Sequence, residues 1–245
     1  MNKTLWKSEP EINTTLADYR SIGILSCGVC ANLSYTGGKT GLNTLKNHLT
    51  TMGKEVNLSR VILACCPEEI MRQSLKQNRR RLKKCDALVV LSCAAGIKAA
   101  NSCKPGLPVI NILDSIGSAA VACTDPVLAE SLCSGCGHCV LTFTAGICPV
   151  SACPAKRKYG PCKQQPPKSS PCPVDTSRAC IWHLIEARGS NLDLLEKIQD
   201  HHKAGEERGL APAPEIKKSI FFKKFFAWHA ARIEPLERVI RHFRK

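Results

Sequence analysis

The stretch SIGILSCGVC (residues 21–30) decides how the first half of the chain is read. Ser21-Ile22-Gly23-Ile24-Leu25 is an apolar run of strand length, and just past it come Cys27 and Cys30 at CxxC spacing. A helical stretch follows from about Thr40 to Met52, with Leu42, Leu45 and Leu49 on one stripe and Gly53 to end it. Val61-Ile62-Leu63-Ala64 is too short to be anything but a buried strand. After Pro67 comes a basic helix that offers Ile70, Leu75 and Leu82 for burial. Ala87–Leu91 reads as the next strand, a small-residue helix runs through Ala100, and Val109–Ile112 is the last strand. Strands alternating with helices in this way predict parallel βαβ units in an open three-layer sheet. Nearly continuous apolar strands fit a sheet covered on both faces. The expected fold class is therefore α/β, with an open parallel-sheet Rossmann-like domain over residues 21–124 after a lead-in over 1–20.

In a parallel sheet every strand ends on the same edge, and ligands bind there at the switch in strand order. Cys27, Cys30, Cys65, Cys66 and Cys93 all fall at or just past predicted strand ends. They are the expected metal residues of a site in this domain, a cluster or zinc, with one of Cys65 or Cys66 completing it. Two other readings stay open. Buried free cysteines are small hydrophobes, which would cover Cys85, Cys103 and Cys123 and extend to Cys66. A CxxC after a strand also suits a thioredoxin-like dithiol. Gly37-Gly38-Lys39-Thr40 imitates the end of a phosphate-binding loop, but the first glycine of that motif is replaced by Leu33.

Half of the sixteen cysteines crowd the second part: Cys133, Cys136, Cys139, Cys148, Cys153, Cys162, Cys172 and Cys180. The opening CSGCGHC (133–139) puts three thiols on one short wrap, and Cys148 and Cys153 are each followed by proline, both habits of ferredoxin-type loops. Eight thiolates are the complement of two [4Fe-4S] clusters, so residues 125–190 are expected to form a cysteine-rich, ferredoxin-like cluster-binding domain. Structural zinc and disulfides are the rivals. Zinc sites more often pair two separated CxxC knuckles, and MNKTLWKSEPEINTTL (1–16) lacks the charged-then-apolar pattern of an export leader. A cytoplasmic protein with reduced thiols is the expectation. Gly135, Gly137, Gly146 and Gly160 permit tight loops, and Trp182 and Leu184 open a helix placed either as a lid over one cluster or as ordinary core.

The formal charge of +15 is uneven. MRQSLKQNRRRLKK (71–84) holds seven Lys or Arg and no acid. Such a surface suits nucleic acid, an anionic membrane or an acidic protein partner. Residues 191–215 read as a helix end and a linker, flexible from 201 on. Residues 216–245 form a basic amphipathic tail, with Phe221, Phe225 and Trp228 on one face. The tail reads as a membrane-surface element, a partner-docking segment, or a helix folded back on its own domain. No apolar stretch is long enough to span a bilayer.

The run LCSGCGHCVLTFTAGICPVSACPAKRKYGPC (132–162), the later CPVDTSRACIWHLIEARG (172–189), SCGVCANLSYTGG (26–38) and DALVVLSCAAGIKAA (86–100) resemble the methylenetetrahydrofolate reductase C-terminal-like family. That family includes the small iron–sulfur subunit that accompanies the flavin-dependent reductase of acetogens and related microbes. The resemblance covers roughly residues 20–190. It implies cluster ligands at the eight later cysteines, a metal-bearing site in the sheet domain, and partnership with a flavin-containing TIM-barrel reductase subunit. Cys162 departs from the family's pattern, being followed by Lys163 and Gln164 where two glycines are usual. The expected role is an iron–sulfur electron-transfer and assembly subunit that takes electrons from a donor protein and passes them to or from a flavin. The rival is a zinc-stabilised interaction or nucleic-acid-binding protein, and a third reading is a small self-sufficient enzyme.

Overall fold

The computed structural model describes residues 2–116, 133–163, 167–168, 170–207 and 209–210. These belong to one compact unit, Met1–Pro212. The amphipathic tail over 216–245 and Cys123 lie outside the described residues.

The chain opens with β1 (Thr4–Trp6) and α1 (Glu9–Leu16), followed by β2 (Ser21–Cys27), α2 (Cys30–Leu33) and α3 (Gly38–Thr51). Next come β3 (Glu55–Ile62), α4 (Glu68–Gln77), α5 (Arg79–Leu82), β4 (Ala87–Leu91) and α6 (Ala94–Ser102). Short strands β5 (Val109–Ile110) and β6 (Leu113–Ser115) end this half. The cysteine-rich half carries three helices, α7 (Pro149–Ala152), α8 (Ile181–Ala187) and α9 (Leu192–Ala204).

A four-stranded parallel sheet has the order β3-β2-β4-β5. Its centre is buried because β2 and β4 carry Ile22, Ile24, Leu25 and Ala87–Leu91 without a charge, and these side chains are covered from both faces. α3 packs on β2 and β3, α6 packs on β4 and β5, and α4 packs on α6. The chain leaves β2 first for β3 and later for β4, so the switch in strand order lies between the ends of β2 and β4. This is the expected Rossmann-like α/β arrangement.

Two expected elements differ. The apolar run at 61–64 is not a buried strand: β3 starts earlier and is an edge strand, with Val61 and Leu63 exposed and only Leu58 buried. Its hydrophobic stretch overshoots the pairing with β2, which ends at Cys27 opposite Ile62. The lead-in is also structured. Here β1 pairs antiparallel with β6, and Trp6, Ile12 and Leu16 enter the main core. Ser8 caps α1 by accepting a hydrogen bond from the Glu11 amide, with Pro10 in the first turn where its missing N–H does no harm.

Gly38 begins α3 at φ +59, where a Cβ would meet the Asn32 side chain. The Gly37-Gly38 pair thus makes a tight turn into a helix. Two cores are filled. The sheet core takes in Leu141 of the cysteine-rich half, while Val140, Phe143, Ile147, Trp182, Ile185, Leu195 and Ile198 form a second one.

Candidate functional site

The carboxyl edge of the sheet gathers thiols through its topology. Cys27 ends β2, Cys65 and Cys66 follow β3, and Cys93 caps α6 just past β4. Cys27, Cys65 and Cys93 are buried, and Cys30 and Cys66 are half-buried. Cys27 and Cys65 are hydrogen-bonded to each other, and this bond is the main cause that lowers the Cys27 thiol to about 5. Amides of Val29 and Ala31, at the start of α2, add to the effect against the opposing pull of burial. The same bond, together with burial, holds Cys65 well above the usual thiol range. Burial also raises Cys66 and Cys93. Asn2 Nδ2 lies 3.6 Å from Cys93 Sγ, and Cys66, Cys93, Ala95 and Cys133 share a small apolar cluster. The fold thus favours ionisation at Cys27 and disfavours it at Cys65, an asymmetry that suits nucleophilic or redox sulfur chemistry.

Cys133, Cys136, Cys139 and Cys148 line one narrow cavity of about 20 Å³ with Lys98, His138 and Lys158. Burial pushes the Cys139 thiol up to about 12 and raises Cys133. Cys136 is exposed, 3.5 Å from Lys158 Nζ. The later cysteines separate. Cys153 and Cys180 pack on the Trp182 core. Cys172 is buried beside the Pro171–Ala179 bridge, its amide donating to Arg178 O at 2.8 Å, and Cys162 is half-buried. All fifteen described cysteines are free.

This geometry corrects the cofactor expectation. Among the described residues no group of three or more His, Cys, Asp or Glu side chains is disposed to hold a metal ion. That finding overturns both the two [4Fe-4S] clusters expected on Cys133, Cys136, Cys139, Cys148, Cys153, Cys162, Cys172 and Cys180 and the third cluster or zinc expected on Cys27, Cys30, Cys65, Cys66 and Cys93. The physical reasons are visible in the packing. The cavity shared by the first four cysteines has room for about one water. The later cysteines are also dispersed, with Cys153 and Cys180 packed on the Trp182 core and Cys172 buried beside the Pro171–Ala179 bridge. Trp182, fully buried among apolar side chains, is core and not a lid.

A polar network joins the two halves beneath this region. Lys7, fully buried, donates to Glu11 and to Cys139 O at 2.8 Å and lies 3.4 Å from Asp114 Oδ1. The Cys139 amide donates to Asp114 Oδ1 at 2.7 Å. Burial opposes the charge on Lys7, but Asp114 and Glu11 more than offset it and raise its pKa. Glu11 is held down to about 2: burial works the other way and is overcome by Lys7 and then His202. His202 Nε2 lies 3.2 Å from Glu11 Oε1 without completing a hydrogen bond, its Nδ1 pairs with Tyr159 OH at 2.8 Å, and its ring packs on His138. His201 bridges Glu206 and Thr14. Sequence reasoning missed this network. His201 and His202, read as the start of a linker, form the last turn of α9, which Gly205 closes in the left-handed conformation. The available signals were the Ser8–Glu11 cap and the Lys7–Glu11 spacing of four, which name a helix start but no distant partner.

Among the described residues, no helix is long and apolar enough to cross a membrane. No curated protein matches the chain. A family model described as "Methylene-tetrahydrofolate reductase C terminal" matches residues 118–208, so a segment similar to that C-terminal family takes up the cysteine-rich half.

Proposed function

We propose that the chain is an accessory subunit of a methylenetetrahydrofolate reductase-type complex, docking on a flavin-containing TIM-barrel partner and exchanging electrons with it. The observation that carries this reading is the family match over 118–208, which falls on the segment clamped to the α/β domain through Lys7, Asp114 and Cys139. The Cys27–Cys65 pair supplies a two-electron couple of this chain's own. A bond forms between the two sulfurs, Cys65 gives up its proton, and two electrons leave; a flavin on the partner takes up the electrons and one proton. The reverse step re-forms the thiolate and the thiol. Cys27 is the attacking sulfur because it is the one already ionised.

Anaerobic isolation of the full chain from its native cell, with mass spectrometry of what accompanies it, tests the docking role. A flavoprotein companion is the expected result, and repeated recovery without one overturns the reading. Mixing the oxidised flavin companion with the pre-reduced chain, native or Cys27→Ser, under anaerobic conditions tests the route. The flavin's visible absorbance should bleach with the native chain and not with the variant.

A further inference from the structure

On the α4–α5 side of the sheet lies a groove of about 410 Å³ that the reading above does not use. Its floor is apolar, made by Leu75, Leu82 and Leu107, and five cations rim it: Arg72, Lys76, Arg79, Lys83 and Lys104. Among the described residues no carboxylate lines it. Arg72 shares its charge with Glu68. The other four cations are exposed, and no acidic side chain pairs with any of them among the described residues.

We propose that this groove docks an acidic amphipathic segment of a partner protein. Arg72 and Lys76 lie one turn apart on α4, and Arg79 and Lys83 begin and follow α5, so the row of cations runs across both helices from residue 72 to residue 83. A row of that length matches a short peptide better than a single phosphate group. The leucine floor asks for apolar side chains between the acids, in the manner of a helix laid into a groove. Charge complementarity of this kind chiefly sets encounter rate and partner choice. Among the described residues no aromatic ring lines the groove for bases to stack on. The position adds a consequence. α5, Lys83 and the 103–107 loop precede β4 and β5, so they lie toward the sheet edge opposite the thiols. A segment held here lies away from the edge that carries Cys27 and Cys65.

The inference rests on the docking role proposed above but not on the companion's flavin. The test uses the full chain and its R79E/K83E variant, with circular dichroism to show that the variant is folded. The first readout is anisotropy of a fluorescein-labelled synthetic helix bearing glutamates on one face and leucines on the other. Saturable, salt-sensitive binding is expected, weakened roughly tenfold or more in the variant. Peptide affinity unchanged by the substitutions overturns the proposal. So does binding of tripolyphosphate or of phosphatidylserine vesicles with none of the peptide. The second readout is recovery of the native companion. Loss with the variant supports the groove, and undiminished recovery overturns it while leaving the accessory-subunit reading in place. If no companion is recovered even with the native chain, that reading falls and the peptide arm alone decides the groove.

Discussion

Cys27 and Cys65 are chemically identical and both buried, yet the fold lowers the pKa of one and raises that of the other. The hydrogen bond between them favours charge on one sulfur only, and the amides at the start of α2 select Cys27. Alkylation of Cys27 by iodoacetamide, followed by peptide mass spectrometry, should therefore show a midpoint near pH 5. In Cys65→Ala the main stabilising bond is gone, and the midpoint should move upward. An unmoved midpoint would assign the ionisation to the α2 amides instead. Lys7 and Glu11 give a second prediction. Glu11 sits at about 2 in the fold against an ordinary 4.5, so its stabilisation is full above pH 4.5 and is lost as pH falls toward 2. Glu11→Gln should flatten that part of an acid-unfolding profile. Lys7→Met leaves Glu11 and Asp114 buried without their cation, and should cost about 3–5 kcal/mol in urea unfolding at neutral pH.

Among the elements, α8 shows how a cysteine-rich segment is held without a regular sheet. Trp182 is fully buried between Cys153, Cys180, Ile185 and the α9 residues Leu195 and Ile198. Trp182→Ala should lose about 3–5 kcal/mol through transfer and cavity terms together, read as a lower urea midpoint. A loss under 1 kcal/mol would mean that α8 does not anchor the segment. The start of α1 is a smaller device: Ser8→Ala removes the bond to the Glu11 amide and should cost about 1 kcal/mol. The strand β3 shows where periodicity misleads. Its four-residue apolar run reads as a core strand, but the strand pairs on one side only and leaves Val61 and Leu63 to solvent.

At the scale of the whole molecule the two halves are not separable. Leu141 belongs to the sheet core, and Lys7 and Asp114 spend their hydrogen-bonding capacity on Cys139. A fragment ending at residue 124 would keep Lys7, Glu11 and Asp114 but expose the surface that Leu141 covers. It should unfold at a lower urea concentration than the full chain, with a shallow transition by circular dichroism; a midpoint equal to that of the full chain would contradict this coupling.

What the sequence by itself determined is the α/β class, the parallel strands at β2 and β4, and the placing of five cysteines at one sheet edge. Strand pattern and strand-end position are local properties, and topology then brings the ends together whatever the side chains are. The pairing of thiols was decided only by the tertiary structure. Whether a sulfur meets a second sulfur, an amide or a leucine depends on packing between segments far apart in the chain. Spacing such as CSGCGHC predicts ligands for a metal, but it does not say whether the folded cavity has room for one. The Lys7–Glu11–Asp114–His202 network was invisible for the same reason: Asp114 and His202 lie about ninety to two hundred residues from the Lys7–Glu11 pair and from each other, and only the fold's need to neutralise a buried ammonium joins them.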